Sequence, residues 1–361
     1  MTEITPQPGI LEIDLYVGGQ SALAGHAEVL KLSSNENPLG APASALAALG
    51  QAAQGLHRYP STDHASLRRI IGEIHGLDPE RIICGVGSDE VLQFVTQAFS
   101  GPGDEIIHTE HGFSMYPILA HMAGATPVSV SERERVVDVD AILSAVNDRT
   151  RLVLIANPGN PTGTMVPAGE LERLTETLPG HVILVLDGAY TEFAESYDGG
   201  AALAKTRPNV LMTRTFSKIY GLGGLRIGWG YGPKSMIDVM TRIRQPFNLS
   251  VLQLAAGEAA VRDRDWVARC AQLNAEQRLR LTGALRQLGV ACDDSHANFV
   301  LARFADEGEA LSADAALQED GIIVRRVAGY GFPEGLRITV GDETQTSRVI
   351  AALTRWREVS A

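Results

Sequence analysis

After an opening punctuated by proline and glycine through Ala24, short apolar runs alternate with amphipathic segments, which is the rhythm of an α/β chain. The runs RIICGVG (81–87), EIIHTE (105–110), RLVLIANP (151–158), HVILVLDGAY (181–190) and NVLMTRTFS (209–217) are apolar at consecutive rather than alternate positions. Strands of that kind are buried on both faces, so the five are predicted to build one central, mostly parallel sheet covered by helices. Two of the crossover helices are predicted over SDEVLQFVTQAF, opened by Ser88 as N-cap, and over PAGELERLTETL, opened by Pro167.

Beyond Pro246 the pattern changes. DWVARCAQLNAEQRLRLTGALRQLG reads as a long charged amphipathic helix, and ANFVLARF, IIVRRV and LRITVG follow as strands with helices between them. The expected organisation is an N-terminal arm over residues 1–38, a large domain over 39–245 and a smaller α+β domain over 246–361, and 361 residues suffice for two cores.

Composition narrows the function classes. With 45% hydrophobic and 20% charged residues the chain has the make-up of a soluble globular protein, and no apolar run approaches the roughly 20 residues of a spanning helix. No membrane role is expected. The start MTEITPQPGI lacks the basic flank and apolar stretch of a secretion signal, so a cytoplasmic location is expected. Cys84, Cys270 and Cys292 are far apart and form no CxxC pair; they are expected as buried apolar residues, with no metal and no disulfide. The net charge of -12 opposes nucleic-acid binding while leaving room for an anionic substrate in a locally basic pocket.

Candidate chemistry concentrates in TFSKIYGLGGLRIGW, where Lys218 follows a predicted strand in a loop rich in hydroxyls and glycine. A lysine that attacks a carbonyl must shed its proton near neutral pH, which desolvation or a neighbouring cation such as Arg226 promotes. Thr215, Ser217 and Arg226 together suit a phosphate. Lysine plus phosphate donors suggest a Schiff base with pyridoxal 5′-phosphate, although a loop lysine taken alone reads first as a solvated turn residue. Asp187 ends another buried strand, where ligands of open α/β sheets bind, and a carboxylate there suits a protonated pyridine nitrogen. Tyr190 and the Asn160 amide of NPGNPTG can reach the ring's phenolate oxygen, and the backbone N–H groups of Ser88 and Asp89 in GVGSDE face an anion. Each junction alone has a bland reading as a cap, a packed tyrosine or a tight turn. Four of them at one sheet edge, each offering a different part of one site, favour the cofactor.

These segments resemble the fold-type I pyridoxal-phosphate transferases and, among them, the histidinol-phosphate aminotransferase family. The resemblance runs through KLSSNENPLG, HRYPST, GVGSDE, NPGNPTG, DGAY, TFSKIYGLGGLRIGW, ANF, GIIVRR and GYGFPEGLRITVG. It implies that Lys218 carries the cofactor, Asp187 pairs with the pyridine nitrogen, Tyr190 and Asn160 hold the ring oxygen, and Ser88, Asp89, Thr215, Ser217 and Arg226 take the phosphate. It further implies that Phe113 stacks on the ring, in place of a common tyrosine, and that Tyr59 reaches the phosphate of a neighbouring subunit, hence a homodimer. Arg337 is assigned to the substrate carboxylate. Arg325 and Tyr16 are assigned to the distal or phosphate end; period-two alternation does not choose between Arg325 and Arg326, and motif position selects Arg325. Around Tyr16 the family often has Tyr-x-Pro-Gly where this chain has Tyr16, Val17, Gly18 and Gly19.

The implied reaction moves an amino group between histidinol phosphate and 2-oxoglutarate, giving glutamate, in ping-pong fashion with Lys218 as general base and acid. An aromatic amino-acid aminotransferase, and a pyridoxal-phosphate lyase or decarboxylase, would keep the same cofactor residues. A nucleotide-binding reading of GLGGLRIG fails because Arg226 stands where the last glycine of GxGxxG belongs.

Overall fold

The structure is a computed structural model and describes residues 4–15, 20–26 and 28–360. Its strands, in chain order, are β1 (Leu30–Lys31), β2 (Ile82–Gly85), β3 (Glu105–Thr109), β4 (Thr126–Val130), β5 (Glu132–Arg133), β6 (Val136–Val137), β7 (Thr150–Ala156), β8 (Ile183–Asp187), β9 (Val210–Thr215), β10 (Gly228–Tyr231), β11 (Phe299–Arg303), β12 (Ile322–Ile323), β13 (Arg325–Val327) and β14 (Phe332–Thr339). Seven of them form the central sheet in the order β2-β10-β9-β8-β7-β3-β4. Every pairing in it is parallel except those of β10, which runs antiparallel to both β2 and β9.

The consecutive apolar positions do what two-sided strands require. Leu152 and Leu154 of β7 enter one core beneath the helices Gly87–Phe99 and Met115–Ala123, while Val153 and Ile155 enter the opposite core with Leu171 and Leu174 of the helix Ala168–Thr177. Each such side chain contributes about 1.5–3 kcal/mol through its burial, and a charge at Val153 would forfeit that and leave an unpaired ion in the core.

A second, antiparallel sheet has the order β11-β14-β13. The helices Glu307–Glu319 and Glu343–Ser360 cover it, with Val300, Ala302, Leu317, Leu336, Ile338, Leu353 and Trp356 in its core. The helix Arg264–Gln287 joins the two bodies, since Cys270 lies in the core of the large sheet whereas Leu281 and Leu285 lie in that of the small one. Preceding it, the helix Val251–Arg262 buries Ala256, Ala260 and Val261 in the large core.

Some local expectations need correction. The helix after β2 spans Gly87–Phe99 with Val86 at its N-cap and no side-chain cap, so Ser88 lies in its first turn instead of capping it. The change of chain direction is made by Gly87, whose φ of +80° suits glycine. IIVRRV is two strands: β12 pairs with β1 in parallel, and past Val324 the chain enters the three-stranded sheet as β13. That pairing also ties the inner end of the arm to the C-terminal part of the chain. Two strands of the central sheet lie outside the five apolar runs, β10 because its GWGY is glycine-rich and β4 because its TPVSV holds a proline, which an edge strand tolerates; the two-residue strands β1, β5 and β6 are too short to show a pattern.

Candidate active site

The C-terminal ends of β2, β7, β8 and β9 open onto one pocket, which brings together Ser88, Asp89, Phe113, Asn160, Asp187, Tyr190, Thr215, Ser217, Lys218, Arg226, Arg325 and Arg337. Twelve of the fourteen residues singled out from the sequence therefore line it. Tyr59 is 83% exposed, stacks on Phe247 at a centroid distance of 4.7 Å and does not line the pocket. Tyr16 lies outside the described residues.

Asp187 closes β8 and is buried, accepting hydrogen bonds from the hydroxyls of Tyr116 and Thr213, each at 3.1 Å. Burial, reinforced by the negative charge of Asp89, raises its carboxyl to about 6. Hydroxyls orient a carboxylate but do not match its charge, and among the described residues no Lys, Arg or His forms a salt bridge with Asp187. The site is thus built for a cationic partner that the protein itself does not provide.

Lys218 follows β9, half-buried, with its amino group donating to the Ser34 carbonyl at 3.1 Å. Desolvation first, and then the positive charge of Arg337, lower it to about 8. Its Nζ lies 5.8 Å from the centroid of the Tyr190 ring. Burial pushes the Tyr190 hydroxyl up to about 12, so it remains protonated at neutral pH, and it accepts a hydrogen bond from Asn35 Nδ2 at 3.0 Å.

At the other end of the pocket the first turn of Gly87–Phe99 presents N–H groups that no side chain caps. The hydroxyls of Thr215 and Ser217 and the guanidinium of Arg226 line the same end. Arg226 donates to Asp89 Oδ2 at 2.8 Å and to Ser217 Oγ at 3.2 Å. It does so from a left-handed backbone, φ +55°, which is uncommon for a non-glycine residue and marks a position held by its surroundings. The cradle also depends on Gly228, where a Cβ would come within 2.1 Å of the Ser88 nitrogen. Uncapped helix amides, two hydroxyls and an arginine are donors for a phosphate. The unmatched Asp187 at the far end suits a pyridinium nitrogen, and Phe113 between them offers an aromatic face. The residues present therefore fit a phosphorylated pyridine aldehyde that reaches Lys218.

The opposite wall comes from the arm and the small sheet. Arg337 is buried and donates from Nη1 to Asn160 Oδ1 at 2.5 Å and from Nη2 to the Ser33 carbonyl at 3.0 Å. In the β13–β14 register Arg325 stands directly opposite Arg337, and both line the pocket. Arg326 instead forms an exposed ion pair with Glu307 at 3.3 Å, so the choice that alternation left open falls to Arg325.

Two residues of the pocket wall, Asn35 and Tyr330, and two behind it, Tyr116 and Thr213, were not assigned from the sequence. Asn35, buried at φ +54°, bonds Tyr190 through Nδ2, receives the Thr339 hydroxyl at its Oδ1 (3.2 Å) and the Asn298 amide at its carbonyl (3.0 Å). Tyr330 lines the pocket and its hydroxyl meets Ser114 Oγ at 3.1 Å. Tyr116 and Thr213 orient Asp187. The polar run SSNEN was a signal for Asn35; Tyr116 and Thr213 lie within apolar patterns and gave none.

Fold and site together define an α/β enzyme built around a lysine, a buried carboxylate and a phosphate cradle at one sheet edge. Residues 27–353 match the family model for aminotransferase class I and II. The histidinol-phosphate aminotransferase of Ruegeria pomeroyi is 67% identical over 361 residues, the whole of both chains, and that of a Jannaschia species is 61% identical over 351 residues, 97% of this chain and 98% of the relative. Among solved structures, the histidinol-phosphate aminotransferase of Sinorhizobium meliloti in complex with pyridoxal-5′-phosphate superposes with a TM-score of 0.87 at 28% identity, covering 92% of each chain. The chain belongs to the aminotransferase class I and II family and, within it, to the histidinol-phosphate aminotransferases.

Proposed function

We propose that this enzyme transfers the amino group between L-histidinol phosphate and 2-oxoglutarate, giving imidazole acetol phosphate and glutamate, with pyridoxal 5′-phosphate as cofactor, in histidine biosynthesis. The observation that carries the reading is the 67% identity over both full lengths to a protein of that name. The pocket supports it, since two arginines opposite one another, Arg325 and Arg337, suit a substrate pair in which a phosphate ester and carboxylates must be held in turn.

When bound, pyridoxal phosphate supplies an electron sink for the charge left at Cα as its proton departs. The protein's own groups do the rest. Uncapped amides of the Gly87–Phe99 helix in the Ser88 and Asp89 turn, Thr215, Ser217 and Arg226 would hold the phosphate. Asp187 would supply the anion for the pyridine nitrogen, Tyr190 and Asn160 would hold the ring oxygen, and Phe113 would offer the ring an aromatic face. Lys218, lowered to about 8, is partly neutral near physiological pH and can take the Cα proton and later return it. Arg337, locked by Asn160 and Ser33, fixes one anionic end of the substrate, and Arg325 meets the other.

The exposed, stacked Tyr59–Phe247 pair supports a homodimer in which Tyr59 serves the neighbouring subunit's phosphate. Exposed Ile4, Leu11 and Leu15 of the arm are further apolar surface that such an assembly can cover. Two cores support division into an arm (1–38), a large cofactor domain (39–245) and a small domain (246–361), with the helix Val251–Arg262 packed back on the large one. No helix among the described residues is long and apolar enough to cross a membrane, in keeping with a cytoplasmic enzyme.

Donor panels with 2-oxoglutarate test the assignment. We expect a higher kcat/KM with histidinol phosphate than with phenylalanine or tyrosine; the reverse order makes the protein an aromatic aminotransferase, and an amine consumed without glutamate formation makes it a lyase or decarboxylase.

A further inference from the structure

Behind the phosphate cradle lies a continuous chain of side chains that do not line the pocket. Glu90 Oε2 accepts from the backbone N–H of Val86 and from Asn248 Nδ2, both at 2.7 Å. Asn248 Oδ1 in turn accepts from Arg244 Nη1 at 2.9 Å, and Arg244 Nη2 donates to the Thr62 carbonyl at 2.6 Å. Donors and acceptors alternate without a break from residue 62 to residue 86. Val86 is the N-cap of the helix whose first amides face the pocket, and it makes no side-chain cap of its own. Glu90 thus engages the Val86 amide just ahead of the helix, while the N-cap residue offers no side chain to the amides that follow.

The charge of Glu90 does not explain its position, because a carboxylate behind a phosphate site opposes the phosphate. Its geometry does. The turn from Val86 to Ser88 pivots on a glycine in the left-handed region and presses against Gly228, where a side chain would collide with the Ser88 nitrogen, so the Glu90 bond to Val86 acts at the point where the chain changes direction.

We propose that Glu90, Asn248 and Arg244 are positioning residues that set the aim of the cradle amides at the cofactor phosphate, with the segment around Thr62 as their anchor. This rests on the reading that the turn after Val86, with Thr215, Ser217 and Arg226, takes that phosphate. Equilibrium binding of pyridoxal phosphate and of pyridoxal to the cofactor-free full chain separates a role in aiming the amides from a general role in stability. Asn248→Ala removes the centre of the bar, and we expect it to weaken pyridoxal phosphate about tenfold, the effect of one charge-assisted hydrogen bond, while pyridoxal binding stays unchanged. Asn248→Asp, nearly isosteric, sets two carboxylates face to face and should give the same selective loss, which keeps the test available if the alanine variant does not fold. Glu90→Gln keeps an acceptor oxygen and removes the adverse charge, so it should bind pyridoxal phosphate at least as tightly as the unaltered chain. Equal weakening of both ligands in the Asn248 variants, or a loss in Glu90→Gln as large as in Asn248→Ala, overturns the proposal. If the unaltered chain itself shows no preference for pyridoxal phosphate over pyridoxal, the cradle assignment falls and the proposal with it; a preference that survives Asn248→Ala and Asn248→Asp removes the proposal alone.

Discussion

Asp187 and Thr215 stand at the ends of β8 and β9, strands buried on both faces, whereas the wall opposite them is assembled from Ser33, Ser34 and Asn35 of the arm and from Arg325 and Arg337 of the small sheet. On the strand-end side each side chain inherits its position from a sheet register fixed by backbone hydrogen bonds and two apolar cores. On the other side position is shared out among side-chain contacts: Asn35 with Tyr190 and Thr339, Arg337 with Asn160 and Ser33, Lys218 with Ser34. The difference suggests a division of labour in which the strand ends fix the cofactor, and with it the reaction class, while the opposite wall fixes what is transferred.

That division can be broken most directly at Lys218. Lys218→Ala should lower transamination by about 10⁴-fold or more and abolish the visible absorbance of lysine-bound cofactor. Full activity in that variant would remove the chemistry from the strand-end side altogether. A smaller but more selective effect is expected at Arg337→Lys, which keeps the charge and loses the fork that holds Asn160 and the Ser33 carbonyl. It should lower kcat/KM by about a hundredfold while cofactor affinity is unchanged; a matching loss of cofactor would show that the two walls are not separable.

The smallest effect is on stability. Asp187 is buried with its carboxyl raised from 3.8 to about 6, so the cofactor-free fold carries the penalty of an ionised buried group in full above pH 6, and sheds it as pH falls from 6 through 3.8. Asp187→Asn should therefore stabilise the cofactor-free protein by about 3 kcal/mol at pH 7, with the gain vanishing below pH 4. Thermal melts across that range check it, and a gain that persists at pH 4 would mean that packing, not charge, is responsible. The same substitution should impair transamination, which is what a site that stores an unmatched charge for its ligand requires.

Much of the strand-end side was legible because apolar runs ending in chemistry-bearing residues carry their own address: a parallel strand delivers its last residues to one edge of the sheet, as with Asp187, Thr215 and the turn after Gly85. The places where reading along the chain went astray have local causes. Val324 divides what looked like one strand, since the short run before it pairs with the arm and the run after it with β14. Ser88 has the chemistry of a helix cap, but Gly87 had already turned the chain.

The α/β layering, the lysine and carboxylate at the sheet edge, and the donors for a phosphate follow from residue type and short-range pattern, and so could be read along the chain. It took the folded chain to show that Arg325 rather than Arg326 lines the pocket, that Asn35 bonds both Tyr190 and, 304 residues further along the chain, Thr339, and that Asn248 donates to Glu90 behind the cradle. Such contacts are made by segments distant in sequence, each of which is polar for its own reasons, and no periodicity within either segment encodes its partner. Their geometry exists only once the two cores have closed and brought the segments within hydrogen-bonding distance.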